Sequence, residues 1–218
     1  RSPTAVARVI AAESAAAQFE ISVGDFEQAG AHYNTGLRYA PDDIGLLVEA
    51  AYLHLRRSEY TAALDQLERA RRIAPDSPEA AKLAGWAYYG LNRVGDAVSE
   101  WKRALALKPD AEVQHALEKA ERDAQEEASY GEGETPHFLL RYNGGAAPEL
   151  ARDVLRTLEA EYVEVSSTLN YFPPEPIGVI LYTNQAFMDI TRAPSWLGAL
   201  NDGRIRVPVE GLTSMTDE

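Results

Sequence analysis

Proline recurs at positions 41, 75 and 109, once every thirty-four residues, and that spacing restricts the fold more than anything else in the chain. A fixed period of this size marks stacked supersecondary units, none of which can bury its apolar face alone. Three windows, Ile10–Asp43, Ile44–Ser77 and Pro78–Ala111, align in phase. Small residues recur at the eighth position (Ala17, Ala51, Gly85), the twentieth (Ala29, Ala63, Ala97) and the twenty-seventh (Gly36, Ala70, Ala104). A large residue recurs at the twenty-fourth: Tyr33, Leu67 and Trp101. Small side chains at such intervals let two antiparallel helices approach closely, and the bulky column fills the space beside them. Proline cannot continue a helix and pushes the preceding residue out of the α region, so each unit ends there. Between the helices of each unit lie Val23-Gly24-Asp25-Phe26, Arg57-Ser58-Glu59-Tyr60 and Leu91-Asn92-Arg93-Val94, short turns closed by an apolar anchor.

With Phe26, Tyr60, the alanine columns and the three prolines at its consensus positions, the chain resembles a tetratricopeptide repeat (TPR) array over residues 10 to 111. The resemblance implies a mainly α protein, a right-handed helical solenoid of three repeats plus a capping helix. It also implies a concave groove lined by the first helix of each pair. The groove positions fall on Gln18, then Val48, Tyr52, Leu55 and Arg56, then Lys82, Trp86 and Tyr89. Aromatic residues with a few cations suit a peptide or protein ligand held by stacking and hydrophobic anchoring. The family's carboxylate clamp wants Lys and Asn at its fifth and ninth positions. Lys82 fits one, whereas Tyr52 and Trp86 replace the Asn, which disfavours capture of an Asp-ended C-terminus. The other use of Tyr52, Trp86 and Tyr89 is to be covered by the chain's own cap helix or second domain.

Ser2 as N-cap and Pro3 at the first helical position start a helix to about Ser22. Repeat helices follow at 25–39, 44–56, 60–73, 78–90 and 94–107. A polar capping helix spans 110–129, stopping there or reaching out as a stalk, with carboxylates such as Glu126 and Glu127 solvated. The run Gly131-Glu132-Gly133-Glu134-Thr135-Pro136 breaks the helical pattern and sets a domain boundary, 1–130 against 131–218. Beyond it the pattern reads strand (137–142), helix (148–169), strand (176–182), helix (184–191) and a hairpin of 196–200 with 204–209 around Asn201-Asp202-Gly203. In the last strand Ile205, Val207 and Val209 alternate with Arg204, Arg206 and Pro208, as in a half-buried strand whose proline suits an edge. The expected fold is thus a solenoid followed by a small, incomplete α/β domain.

The runs HFLLRY, PPEPIGVILYTNQAF and GRIRVPV in residues 137–210 resemble the opening half of a gluzincin-type, peptidase MA-like domain. In bacterial proteins that domain often follows TPR repeats. The family's zinc motif H-E-x-x-H is absent, so no catalytic residue carries over and no metal or cofactor is expected of this chain. The resemblance implies that the chain is the N-terminal portion of a zinc metallopeptidase whose active-site helix lies beyond residue 218. It also implies that one face of the sheet lacks cover, and that a peptide can pair with an edge strand near 204–209.

The remaining observations exclude function classes. There is no cysteine, which removes disulfides, thiolate metal sites and cysteine catalysis. The formal charge of −13 is spread along the chain, which argues against nucleic acid as a partner. No apolar run approaches membrane-spanning length, so no membrane partner is expected. Neither a P-loop nor a G-x-S-x-G is present. His115 and Glu118 lie one helical turn apart, the nearest approach to a zinc pattern, and read as a solvent-facing pair. The chain begins at Arg1 and looks like a fragment or processed form. Its leading use is as a non-catalytic protein-interaction module or scaffold, with self-association of the repeats as a further use.

Overall fold

The structure is a computed structural model that describes residues 3–143, 148–192, 197 and 199–209. Helices α1 (Pro3–Val23), α2 (Phe26–Tyr39), α3 (Ile44–Arg56), α4 (Tyr60–Ile73), α5 (Pro78–Gly90), α6 (Val94–Leu107) and α7 (Ala111–Glu126) come first. A 3-10 turn (Glu127–Ser129) then leads to β1 (Gly131–Glu134), β2 (Phe138–Tyr142), α8 (Pro148–Leu169), β3 (Ile177–Tyr182), α9 (Asn184–Thr191), β4 (Leu200–Asn201) and β5 (Ile205–Pro208). The chain forms two compact units, Arg1–Tyr88 with Ser99–Gln114, and Tyr89–Val98 with His115–Glu218.

In the first unit the repeat columns lie in the core, together with Leu46, Leu47, Ala50 and Leu53. Ala17, Ala29, Tyr33, Ala51, Ala63, Leu67, Ala70 and Trp101 are all buried. The eighth and twenty-fourth columns compensate in volume. Where the bulky residue is tyrosine or leucine the small partner is alanine; opposite Trp101 it is Gly85, whose Cβ would stand 2.2 Å from the indole nitrogen. Glycine here is a requirement of close approach. Asp43 and Ser77, thirty-four residues apart, cap α3 and α5 by accepting from the backbone N–H of Leu46 and Ala80. The ends repeat too, since the N–H groups of Ala40, Ala74 and Lys108 donate to the carbonyls of Gly36, Ala70 and Ala104. Two staples lie outside the columns: Arg69 donates to the Pro41 carbonyl at 2.7 Å, and Arg103, one period later, to that of Pro75.

The period is also written in the backbone. Gly24, Ser58 and Asn92 share the position and all have positive φ, 84°, 57° and 59°. Each hairpin turn thus needs one left-handed residue, which glycine takes freely and serine at a cost.

In the second unit a five-stranded sheet has the order β1-β2-β3-β5-β4. Strands β2, β3 and β5 run parallel, while β1 and β4 flank them antiparallel. On one face Phe138, Leu140, Val179 and Leu181 pack with Ala151, Leu155 and Tyr162 of α8. On the other, Ile180 and Tyr182 pack with Ala186, Phe187 and Ile190 of α9. The expectation of an uncovered face is corrected, because helices occupy both sides of β3. Strand β1 lies in the glycine-rich break, where alternating Gly and Glu carries almost no strand propensity. Its glycines are steric: a Cβ on Gly131 would meet the Tyr142 ring at 2.6 Å, and one on Gly133 the Leu155 side chain at 2.9 Å. The sequence expectations at Ser2 and Trp196 lie outside the described residues.

Strand β5 corrects a second expectation. It is an interior strand, paired to β3 through Val179↔Ile205 to Tyr182↔Pro208 and to β4 through Leu200↔Arg206. The pairing edge proposed near 204–209 is therefore occupied. Arg204 and Arg206 do not face water either; both are fully buried. A third correction concerns Glu127, which is 3% exposed instead of solvated, with Asp123 one turn earlier at 0%.

Candidate functional site

The groove positions of the first unit divide into free and occupied side chains. Gln18 on α1 is exposed, and its amide donates to Glu49 of α3 at 3.1 Å, while the Ser14 hydroxyl donates to the other oxygen of Glu49 at 2.6 Å. The same carboxylate holds the Tyr33 hydroxyl, which burial and then the charge of Glu49 push up to about 12. Val48 and Leu55 are half-buried on α3. Tyr52, on the same helix, is 43% exposed, and its hydroxyl accepts from exposed Arg56 at 3.3 Å. The Arg56 guanidinium also lies 5.5 Å from the centre of the Phe26 ring.

Lys82 on α5 is not a free cation. Its ammonium pairs with Asp110 at 3.0 Å and Glu112 at 2.6 Å. The hydrogen bond from Lys82, then the backbone N–H of Val113, hold the Asp110 carboxyl below its usual range. Trp86 is half-buried and meets Trp101 edge-on, ring centroids 4.8 Å apart. Its indole therefore serves the repeat's own packing as well as offering surface.

Tyr89 belongs to the second unit and is 5% exposed. Its hydroxyl donates to Asp123 at 2.7 Å and accepts from Arg206 at 2.6 Å and Lys119 at 2.8 Å. That fills the one donor and two acceptor sites of a phenol. Burial, then the charge of Asp123, raise its pKa far above the ordinary phenol value.

Tyr89 is one corner of a buried ionic network. Arg206 grips Asp123 with both terminal nitrogens, at 2.9 and 2.7 Å, and donates to Tyr182 at 2.7 Å and to Asp202 at 3.1 Å. Arg204 pairs with Glu127 and Asp123, and Tyr182 donates to Glu127 at 2.6 Å. Arg141 reaches Glu127 at 3.5 Å and Glu132 at 2.6 Å. Burial opposes ionisation of Asp123, yet the hydrogen bonds and charge of Arg206, with Arg204 and Lys119, hold its carboxyl below the usual range. Every charged member faces an opposite charge, while the buried Arg204 Nε has no hydrogen-bond partner among the described residues. The cluster ties Asp123 of α7 to Arg206 of β5 and Tyr182 of β3. One signal in the sequence pointed to it: Val113, Ala116 and Ala120 form the buried stripe of α7, and Asp123 and Glu127 continue that stripe by three and four residues.

His115 and Glu118 are both exposed, and no group of three or more His, Cys, Asp and Glu able to hold a metal ion occurs among the described residues. No helix among them is long and apolar enough to cross a membrane.

Comparison with known proteins agrees with the repeat geometry. Residues 20–84 and 54–120 each match the tetratricopeptide repeat family, so this stretch carries TPR repeats. The first TPR of Spaghetti (RPAP3) bound to the HSP90 peptide SRMEEVD superposes with a TM-score of 0.52 at 18% identity, over 54% of this chain and 94% of that one. The second TPR domain of human RPAP3 in complex with the HSP70 peptide SGPTIEEVD gives 0.50 at 19%, over 53% and 98%. MamA gives 0.51 at 19%, over 56% and 67%. At such identities the likeness is one of fold, that of a TPR-like helical solenoid over about half of the chain; the small sheet region toward the C-terminus makes the whole a mainly helical protein. No curated protein matches the chain.

Proposed function

We propose that the repeats bind an extended peptide or protein segment along Gln18, Val48, Tyr52, Leu55, Arg56, Lys82 and Trp86, and that this chain performs no catalysis of its own. The observation that carries the reading is Tyr52, a large aromatic left 43% exposed on a first repeat helix with Arg56 beside it. Exposed aromatics and arginines are the side chains on which binding energy concentrates. Tyr89 is left out because its ring and hydroxyl are spent inside the second unit. Two of the solved TPR neighbours hold chaperone peptides ending in EEVD, which supports a peptide ligand in general. A terminal carboxylate is disfavoured here, because Lys82 already faces two carboxylates.

The test is to select random peptides on the immobilised full chain and titrate the winners against variants. Tyr52→Ala combined with Trp86→Ala should weaken them by roughly 2 kcal/mol or more, with Tyr52→Ala alone as the variant least able to disturb packing. Unchanged affinity in both overturns the groove. The peptide SRMEEVD with a free or an amidated C-terminus should bind equally weakly; a strong preference for the free acid would replace this reading with carboxylate capture. The metallopeptidase reading of residues 137–210 draws no support from the comparisons, and no observation favours it.

A further inference from the structure

Of the eleven large hydrophobic side chains that stand exposed among the described residues, five fall within ten residues: Val163, Val165, Leu169, Tyr171 and Phe172. Random scatter needs no explanation, but an exposed apolar cluster of this density marks an interaction site. On α8, Glu161, Glu164, Val165 and Leu169 follow i, i+3, i+4 and i+8 spacing, which puts them on one stripe. Leu169 is 68% exposed and Val165 51%. The helix then stops in a fixed turn. Asn170 takes a left-handed φ of 50°, and the N–H of Tyr171 donates to the Ser166 carbonyl at 3.0 Å. Phe172, 55% exposed, is braced edge-on against the buried Tyr162 ring, centroids 6.3 Å apart. The apolar platform is therefore held in place before any partner arrives.

Charge decides what can cover it. Glu161 and Glu164 are exposed and have no hydrogen-bond or ion-pair partner among the described residues. The second unit as a whole carries 9 Arg and Lys against 19 Asp and Glu, a net −10, and two of those arginines, Arg204 and Arg206, are buried in the network. An anionic lipid surface and an acidic peptide are repelled by such a face, and a second copy would bring like charges together. We infer that the stripe and its turn, Glu161 to Phe172, form a docking surface for a basic amphipathic segment of a partner protein. The partner's apolar side chains would lie on Val165, Leu169 and Phe172, and its Lys or Arg against Glu161 and Glu164. This surface is separate from the groove positions, and the inference does not depend on them.

The test titrates the full chain with a synthetic amphipathic peptide of leucine and lysine, and with its leucine and glutamate counterpart. The lysine peptide should bind and the glutamate peptide should not. The double variant E161K with E164K, and separately L169S, should each weaken binding roughly tenfold or more. A control reversal at the far end of the same helix, E149K, changes the charge without touching the platform and should weaken it far less. Equal loss in E149K would show attraction to net charge alone and overturn the proposal. So would equal binding of both peptides, no change in L169S, or a dimer in sedimentation that L169S dissolves. Circular dichroism of each variant separates lost binding from lost fold, and Tyr52→Ala, which removes the proposed groove contact, should leave this binding unchanged.

Discussion

The two units solve the same packing problem with opposite chemistry. In the first, interior space is filled by alanine and glycine columns interleaved with leucines and aromatics such as Leu46, Leu53, Leu67 and Trp101, and charges stay at the rim, as in the Lys82 pairs. In the second, Arg204, Arg206, Asp123 and Glu127 lie fully enclosed beside ordinary apolar clusters. Apolar interiors tolerate exchange if volume is kept. A buried ionic network tolerates it poorly, because removing one member strands the others without water. The lesson is that the unit with strong internal repetition uses shape for specificity, while the unit without it uses charge.

The largest expected effect breaks the network. Arg206→Met removes the two-pronged partner of Asp123, leaving it Arg204 and Tyr89, and removes hydrogen bonds to Tyr89, Tyr182 and Asp202. It should destabilise the protein by about 3–5 kcal/mol in urea unfolding. Removing Asp123 as well, in Arg206→Met with Asp123→Leu, should cost less than the two single changes summed, because no stranded charge remains opposite the methionine. Simple additivity would show that the network is not a unit.

The next effect probes shape. Gly85→Ala drives a methyl group into the Trp101 indole and should cost about 1–3 kcal/mol. Adding Trp101→Leu recreates the Ala51 and Leu67 pairing found one repeat earlier and should restore much of the loss. If Gly85→Ala were neutral by thermal unfolding, the volume argument for the columns would fail.

Much of the first unit was legible because its constraints are local and repeated. The bounds of α3 to α6 agree with the prolines, turns and columns that announced them. In the second unit α8 and β3 were legible from period and β-branched composition, but three features were not. β1 was hidden because its glycines answer to Tyr142 and Leu155, which are remote in sequence. The burial of Arg204 and Arg206 was hidden because alternation states which residues share a face, not that both faces are covered. Among the groove positions, residue type marked Tyr52 and Lys82 alike, yet only coordinates show that one is open and the other already paired.

A smaller effect tests the turns. Ser58 occupies the left-handed position that Gly24 holds in the first repeat, so Ser58→Gly should stabilise by up to about 1 kcal/mol, the relief of a strained φ less the added chain entropy. The reverse change, Gly24→Ser, should destabilise by a similar amount. Opposite signs in chemical unfolding would confirm that one conformation serves both turns; the same sign in both would separate them.

The smallest effect lies at the solvent edge of the second unit and is read by pH. Glu159 accepts from the His137 backbone N–H at 3.0 Å and pairs with the His137 ring at 2.7 Å. The hydrogen bond from His137, then that from Thr135, lower its pKa from 4.5 to about 2. A depressed carboxyl stabilises the fold fully above its unfolded pKa and loses that contribution as pH falls through the folded value. The contribution should therefore be whole above pH 4.5 and vanish by about 2. Glu159→Gln isolates it, since Asp123, also depressed, titrates in both proteins and cancels in the difference. Wild type should exceed the variant in stability at pH 6, and the gap should close across that window. A gap that held constant down to pH 2 would mean that Glu159 acts by shape, and the second unit's reliance on charge would not reach its rim.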